Sequence, residues 1–388
     1  MHSLLKQFEV HFNKYLSPTQ IQTLSILIGL INRYRQVKIE KLAPYFPLPI
    51  LFESRRKHIQ RFLILNALSV SIIWFPIISF IITQQFPDYS SLIIALDRTQ
   101  WQDKNIDSFR LVFQRHALPI YWNIFEKKGS SNFPEQKALI RPVLKLLNKY
   151  HIIIIGDREF HSIELATWLK NQRRKQKLDF ALRQKKGTFY HKGGKKYQKL
   201  SEIEIKRGIK QIQMGIKVTK RTGFSKNNLG IYHKRKRKNK GSKEPWYILT
   251  SLNDVEEVMK IYSQRMGIEI MFKDYKKGGY NREESKANIA RLTSLLLLIA
   301  IAYTNKTLKG QILKNKGQQK YVGRVTEKRR KTKRNSDFWL GLYGEIWTNV
   351  YEEYSEEIER IMEINKNKRP FYKKGLCAKE KIQKIYSI

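Results

Sequence analysis

Cysteine is almost absent from this chain: Cys377 is the only one in 388 residues. A single thiol excludes both a disulfide framework and a cysteine-built zinc site, and it suits a reducing cytosol. Acidic residues are scarce too, 33 against 76 lysines and arginines, which leaves a net charge of +43 and a pI near 10.1. So large an excess selects a partner class before it selects a fold. A polyanion such as nucleic acid comes first, an anionic membrane surface second. No cleavable signal pattern and no internal repeat are found.

Long charge-free runs are equally rare. Phe62 to Thr83 is twenty-two positions without a charge, long enough to span a bilayer. Asn66, three serines and Pro76 interrupt it, and no second span pairs with it. Two short buried helices are therefore expected there, with no stable membrane association; a basic membrane-associated protein is the competing reading.

What the chain does contain is 41% hydrophobic residues, enough for a core in two or three parts. Helical apolar spacing runs through Pro18 to Gln36 and Arg55 to Leu65. From Ser90 the pattern turns to strand: SLIIALDRTQW is an apolar run stopping on Asp97, followed by β-like stretches at Phe109 to Phe113 and Leu118 to Phe125. An amphipathic helix from about Pro134 to Lys149 comes next, with proline in its first turn. Then HIIIIGDREF gives an apolar strand stopping on Asp157.

Three strands, a helix and a fourth strand is the order of a ribonuclease-H-like core, in which the first and fourth strands are neighbours. That would bring Asp97 and Asp157 together, sixty residues apart in sequence, at the strand ends where open α/β sheets place their chemistry. Each also has a structural reading, Asp97 as a turn cap and Asp157 as an ion pair with Arg158. Asp103, Asp107 and Glu159 compete for the same role, but Asp103 and Asp107 read as a polar loop.

The spacing predicts one long helix from Asn253 to about Lys277, with Asn253 and Glu256 as a capping box and Gly278 and Gly279 as its stop. At about 100° per residue, Val255, Val258, Met259, Tyr262, Met266 and Ile270 form an apolar stripe that includes Glu269. Tyr262, Arg265, Glu269 and Lys276 fall within roughly 60° of one another. A carboxylate on a buried face needs a partner. Arg265, one turn earlier, is one candidate and a metal ion is another.

The spacing Tyr-(2)-Arg-(3)-Glu-(6)-Lys in YSQRMGIEIMFKDYK resembles the signature of the insertion-sequence DDE transposases named for their Y, R, E and K, of the hairpin-forming cut-and-paste type. Asp97-Arg98-Thr99 is similar to that family's Asp-x-Thr, Asp157-Arg158-Glu159-Phe160 to its second-aspartate motif, and Arg61-Phe62-Leu63 to a step in its DNA-contacting helical region. The resemblance implies that Asp97, Asp157 and Glu269 are catalytic and hold two Mg²⁺ ions, with Mn²⁺ able to substitute. Hard oxygen ligands suit such ions, and a pair about 3.5–4 Å apart suits in-line displacement at phosphorus. Tyr262, Arg265 and Lys276 would grip the terminal phosphates, with Arg158 and Arg61 as further DNA contacts. Trp246, in PWYILTS, would stack on a flipped base; a core aromatic on a strand is the alternative. Met266-Gly267 is a departure, since mid-helix glycine costs about 1 kcal/mol against alanine.

The expected fold class is α/β, a ribonuclease-H-like mixed sheet with helical flanks. Residues 1–88 would be a helical DNA-contacting region, 89–174 the first part of the core, 175–250 a β-rich insertion, and 251–304 the last part with the glutamate helix. The insertion carries the basic block Lys234 to Lys240. A long helix from Glu283 to Tyr303, a mobile basic segment from Asn305 to Arg334 and an amphipathic helix from Asp337 to Asn365 complete the chain, 305–388 forming a basic linker and helical end. The expected function is cut-and-paste transposition in the prokaryotic cytoplasm, on the nucleoid. The partners are double-stranded DNA, at the transposon ends and the target, and a second copy of the chain in a synaptic dimer. The rival is a noncatalytic DNA-binding relic, which would need the charge but not the carboxylates.

Overall fold

The structure, a computed structural model, describes residues 2–101, 104–113, 116–127, 129–191, 196–218, 226–235, 244–276, 279–285, 287–327 and 334–387. It divides into two compact units, one of residues 78–271 and one of 1–77 with 272–388. Helices before the sheet are α1 (His2–Lys6), α2 (Glu9–Phe12), α3 (Pro18–Tyr34), α4 (Ile39–Leu42), α5 (Phe52–Phe62) and α6 (Phe75–Gln85). Within the sheet region lie α7 (Phe133–Leu146) and α8 (Ile163–Gln172), then α9 (Val255–Ser263) and α10 (Gly267–Tyr275). The C-terminal helices are α11 (Ile289–Asn315), α12 (Gln319–Val322), α13 (Asp337–Glu353), α14 (Ser355–Ile364) and α15 (Arg369–Ser387).

The unit of residues 78–271 is built on one mixed sheet. Its strands are β1 (Ser91–Trp101), β2 (Lys104–Phe113), β3 (His116–Phe125), β4 (His151–Gly156), β5 (Leu178–Arg183), β6 (Phe189–His191), β7 (Gln198–Lys199), β8 (Lys210–Val218), β9 (Lys226–Tyr232) and β10 (Trp246–Thr250). They lie in the order β3-β2-β1-β4-β5-β10-β9-β8-β6-β7. The first five places are a ribonuclease-H-like core: an antiparallel β1-β2-β3 meander, with β4 parallel to β1 and β5 parallel to β4. Central parallel strands are covered on both faces, which is why β4 reads as the unbroken apolar run His-Ile-Ile-Ile-Ile-Gly. Pro119 lies on the edge strand β3 beside a register shift opposite Phe109 and Arg110, the two places where a strand tolerates proline.

Helix α7 begins as the sequence predicts. Asn132 and Glu135 form a capping box and Pro134 stands in the first turn, where a missing N–H costs nothing. The helix packs on β2 and β3, and α8 packs on β5. Leu178–Arg183, placed by the sequence in the insertion, is the fifth core strand, and the insertion's β10 pairs antiparallel with it. The insertion therefore continues the core sheet. Pairing partners are a long-range property that strand alternation does not carry. Lys236–Lys240 and Asp103 lie outside the described residues.

In the other unit, Ser17 and Gln20 form the capping box of α3, and Arg61 is exposed on α5 while Phe62 and Leu63 are buried. The charge-free stretch is broken after α5, and its helical remainder, Val70–Gln85, is short for a span. Among the described helices, only α11 is long and apolar enough to cross a membrane, and 78% of its apolar window is buried in the protein. Asn288 caps α11, which runs on to Asn315. The sequence reading of a mobile segment from Asn305 is thus corrected: Lys306 is 0% and Lys309 8% exposed. Lys306 pairs with Glu345 of α13, and both ammonium groups lie over the Tyr386 ring. Those partners are distant in sequence, so a lysine-rich stretch looked solvated. Gly310 and Gly341 let α11 and α13 touch by their backbones, since a Cβ on Gly341 would fall 1.9 Å from the Lys306 carbonyl oxygen. The expected helix from Asp337 to Asn365 is two, α13 and α14, broken at Tyr354.

Candidate active site

Asp97 and Asp157 stand side by side because β1 and β4 are parallel neighbours in matched register. Their pairing ends at Leu96 opposite Gly156, and the next residue on each strand is the aspartate. Asp97 does not end its strand, as the sequence suggested; β1 continues to Trp101 against β2. Asp157 does end β4, as the N-cap of a short 3₁₀ turn, Arg158–Phe160, where its carboxylate accepts the Arg158 N–H. Gly156 permits this turn. A Cβ there would meet Leu182 Cδ2 at 2.9 Å and Phe160 Cβ at 3.0 Å.

The third acid comes from a helical run that differs from the predicted one. Asp254, not Asn253, caps α9, accepting the N–H groups of Glu256 and Glu257. Asn253 instead accepts from the Asn228 amide. A 3₁₀ turn, Gln264–Met266, separates α9 from α10. Three residues at about 120° rather than 100° each rotate everything beyond by about 60°. The apolar stripe holds through Val258, Met259 and Tyr262, then passes to Ile268 and Met271, leaving Met266 59% and Ile270 37% exposed. Glu269 is likewise moved off the buried face, its side chain 63% exposed.

Arg265 lies in that turn and joins the three acids. Its Nη1 is 3.5 Å from Asp97 Oδ1, and its Nη2 is 3.5 Å from Asp157 Oδ2 and 3.7 Å from Glu269 Oε1. Because Nη2 is shared, the Asp157 and Glu269 oxygens are no farther apart than those last two distances added together. Burial works against the Arg265 charge, but Asp157, Tyr262, Asp97 and Glu269 together hold its pKa above the ordinary arginine value.

A second guanidinium supports Asp97 from the sheet. Arg110 on β2 is 2% exposed, with Nη1 3.4 Å from Asp97 Oδ2 and Nη2 bonded to Ser108, the residue opposite Asp97. Burial raises the Asp97 carboxyl above the usual aspartate range, with Arg110 and Arg265 pulling the other way and Asp157 adding to the rise. Sequence reasoning missed Arg110, though the signal was present: an arginine inside the apolar run Phe-Arg-Leu-Val-Phe needs a buried anion.

Two of the competing acids, Asp107 and Glu159, are placed differently. Asp107 is on β2, 1% exposed, not in a loop; as the neighbour of Ser108 it points to the opposite face of the sheet from Asp97. Glu159 pairs with Arg98. Arg158 Nη1 lies 3.4 Å from Glu244. Tyr262 is 3% exposed, and burial, then Asp157, pushes its phenol up to about 12. Its ring meets Trp246 edge-on at 5.1 Å, and Trp246 in turn has Lys234 Nζ 6.0 Å from its centroid. Lys276 belongs to the other unit, where its ammonium pairs with Glu283 at 2.9 Å.

Three carboxylates are the right donors for a hard divalent ion. As the side chains stand, a guanidinium holds them, and among the described residues no group of three or more His, Cys, Asp or Glu side chains is gathered closely enough to bind a metal. The donor chemistry fits; the Arg265 position does not.

The strand order and the acids beside it define a ribonuclease-H-like domain with a three-carboxylate site. Residues 124–305 match the family model for the transposase DDE domain, a stretch that contains Asp157 and Glu269 and starts after Asp97. Comparison with curated protein sequences gives no match. A solved structure described as a piggyBac transposase synaptic complex with hairpin DNA is similar at 14% identity, over 86% of this chain and 72% of that one, with a TM-score of 0.46.

Proposed function

We propose that this protein is a DDE transposase of the Y-(2)-R-(3)-E-(6)-K type, which binds the inverted repeats of its own element, cuts the DNA strand and joins the freed end to a target by the hairpin-forming cut-and-paste route. The observation that carries this reading is the convergence of Asp97, Asp157 and Glu269 on one guanidinium. The match of residues 124–305 to the transposase DDE domain supports it.

The chemistry follows from the acids. In strand cleavage a water oxygen attacks phosphorus, losing a proton to solvent, and the bond to the 3′ oxygen breaks to leave a 5′-phosphate and a 3′-hydroxyl; in joining, that 3′-hydroxyl loses its proton, attacks a second phosphodiester and displaces the 3′ oxygen there, which leaves as a hydroxyl. Asp97, Asp157 and Glu269 would hold two Mg²⁺, or Mn²⁺, which when bound supply Lewis-acid stabilisation of the anionic transition state. Asp97 is held by Arg110, so its carboxylate is oriented before substrate arrives. Arg158 and Arg265 and, in the other unit, Lys276 and Arg61 are the cations assigned to phosphate, and Tyr262, which feels the Asp157 and Arg265 charges, forms an aromatic pair with Trp246. The net charge of +43 supports a DNA partner whose affinity falls steeply with salt. We also place the protein in the prokaryotic cytoplasm, acting as a dimer on paired ends.

The test is strand cleavage by purified protein on DNA carrying its element's ends, in Mg²⁺. Asp97→Ala, Asp157→Ala and Glu269→Ala should each abolish cleavage and leave end binding intact. Absence of cleavage by the unsubstituted protein would favour the noncatalytic DNA-binding relic, and normal cleavage by Glu269→Ala would remove that residue from the site.

A further inference from the structure

Arg265 is placed differently from every other cation around the acids. Its guanidinium reaches all three carboxylates, at distances longer than the 2.7–2.9 Å or so of a strong charge-assisted bond. It stands on a 3₁₀ turn with no buried residue. The helices on either side are anchored, α9 by Val258, Met259, Ile261 and Tyr262 and α10 by Ile268 and Met271. Such turns are weakly hydrogen-bonded and mark places where a helix can hinge, and Gly267 follows at once. Arg110, by contrast, is 2% exposed in the middle of a sheet and has nowhere to go.

We propose that Arg265 is the resident counter-ion of the acidic site, and that it exchanges between the carboxylates and a DNA phosphate. This rests on the proposed metal-dependent reading. Without metal, Arg265 holds Asp97, Asp157 and Glu269 together against their mutual repulsion. Divalent cations at the same oxygens and a guanidinium among them exclude one another, because like charges would share one small space. Arg265 therefore leaves as the metal enters, by rotation of its side chain on the 3₁₀ turn, and its freed fork takes a backbone phosphate in two parallel hydrogen bonds. Metal binding and DNA binding are then coupled through one side chain, and the coupling is reciprocal. A phosphate that captures Arg265 opens the carboxylates to metal, so the site is completed only where DNA is present.

The experiment measures Mn²⁺ binding to the full chain without DNA, by electron paramagnetic resonance titration, together with thermal unfolding in chelator. Arg265→Gln should bind Mn²⁺ at least about tenfold more tightly than the unsubstituted protein, and should unfold at lower temperature when metal is absent. Arg265→Lys, which keeps the charge, should stay near the unsubstituted affinity. A DNA end duplex should tighten Mn²⁺ binding to the unsubstituted protein and leave that of Arg265→Gln unchanged. Unchanged or weaker Mn²⁺ binding by Arg265→Gln, while Asp97→Asn loses it, would overturn the counter-ion role and leave the metal reading standing. Mn²⁺ binding that ignores Asp97→Asn and Asp157→Asn, or no binding at all, would overturn the metal reading and the exchange with it.

Discussion

Leu96 and Gly156 are the last paired residues of two parallel strands, and each is followed by an aspartate. Parallel register is what puts the two carboxylates level with each other. A slip of one residue would turn one of them to the other face of the sheet.

Gly156 guards that register. With Phe160 Cβ and Leu182 Cδ2 at 3.0 and 2.9 Å from where its own Cβ would be, Gly156→Val overpacks the turn that presents Asp157. It should cost about 1–3 kcal/mol of stability and lower cleavage more than end binding. Thermal unfolding and a nicking assay on the same preparation check it.

Arg110 should show itself in a pH profile. Burial raises the Asp97 carboxyl and Arg110 opposes that rise, so Arg110→Gln lets it rise further. A group with a higher pKa ionises only at higher pH, and the acid limb of cleavage should therefore move to higher pH. An acid limb that stays in place in a folded variant would assign it to another group.

Asp274 on α10 is 7% exposed, and burial pushes its carboxyl up to about 7, against the opposing pull of Lys273. The folded state thus holds this proton more tightly than the unfolded chain does. Its contribution is fully present below the ordinary aspartate range and is lost as pH rises through about 7. Asp274→Asn should raise the unfolding temperature at pH 8, leave it nearly unchanged at pH 4, and flatten the curve between.

Lys306 is 0% exposed, and among the described residues its ammonium pairs with the Glu345 carboxylate. Glu345→Ala strands a buried ammonium and should cost about 3–5 kcal/mol, more than the double change Glu345→Ala with Lys306→Met. Denaturant unfolding of the single and double variants measures the difference.

Legibility in the sequence followed the range of the interaction involved. β1, β4 and α7 could be read because apolar runs, helical periodicity and a first-turn proline act over a few residues. Asp97 and Asp157 could be nominated because each follows an apolar run. The face presented by Glu269 could not be read, since a 3₁₀ turn of three residues alters the angular count for all that follow. Arg110 was overlooked for a different reason: a charge inside an apolar stretch declares that it needs a partner without saying where the partner is. Lys306 was misread because its partners, Glu345 and Tyr386, are distant in sequence, so that a lysine-rich stretch looks solvated.

The amino-acid order by itself determined the strongly basic net charge, which favours a polyanionic partner, and the helices and strands from which the sheet is built, through periodicity and capping. Only the tertiary structure decided that β5 and β10 join core and insertion into one sheet, and that three acids meet around Arg265. Those outcomes depend on strand neighbours and on side chains far apart along the chain, where loop closure and packing choose among pairings that local pattern leaves equal.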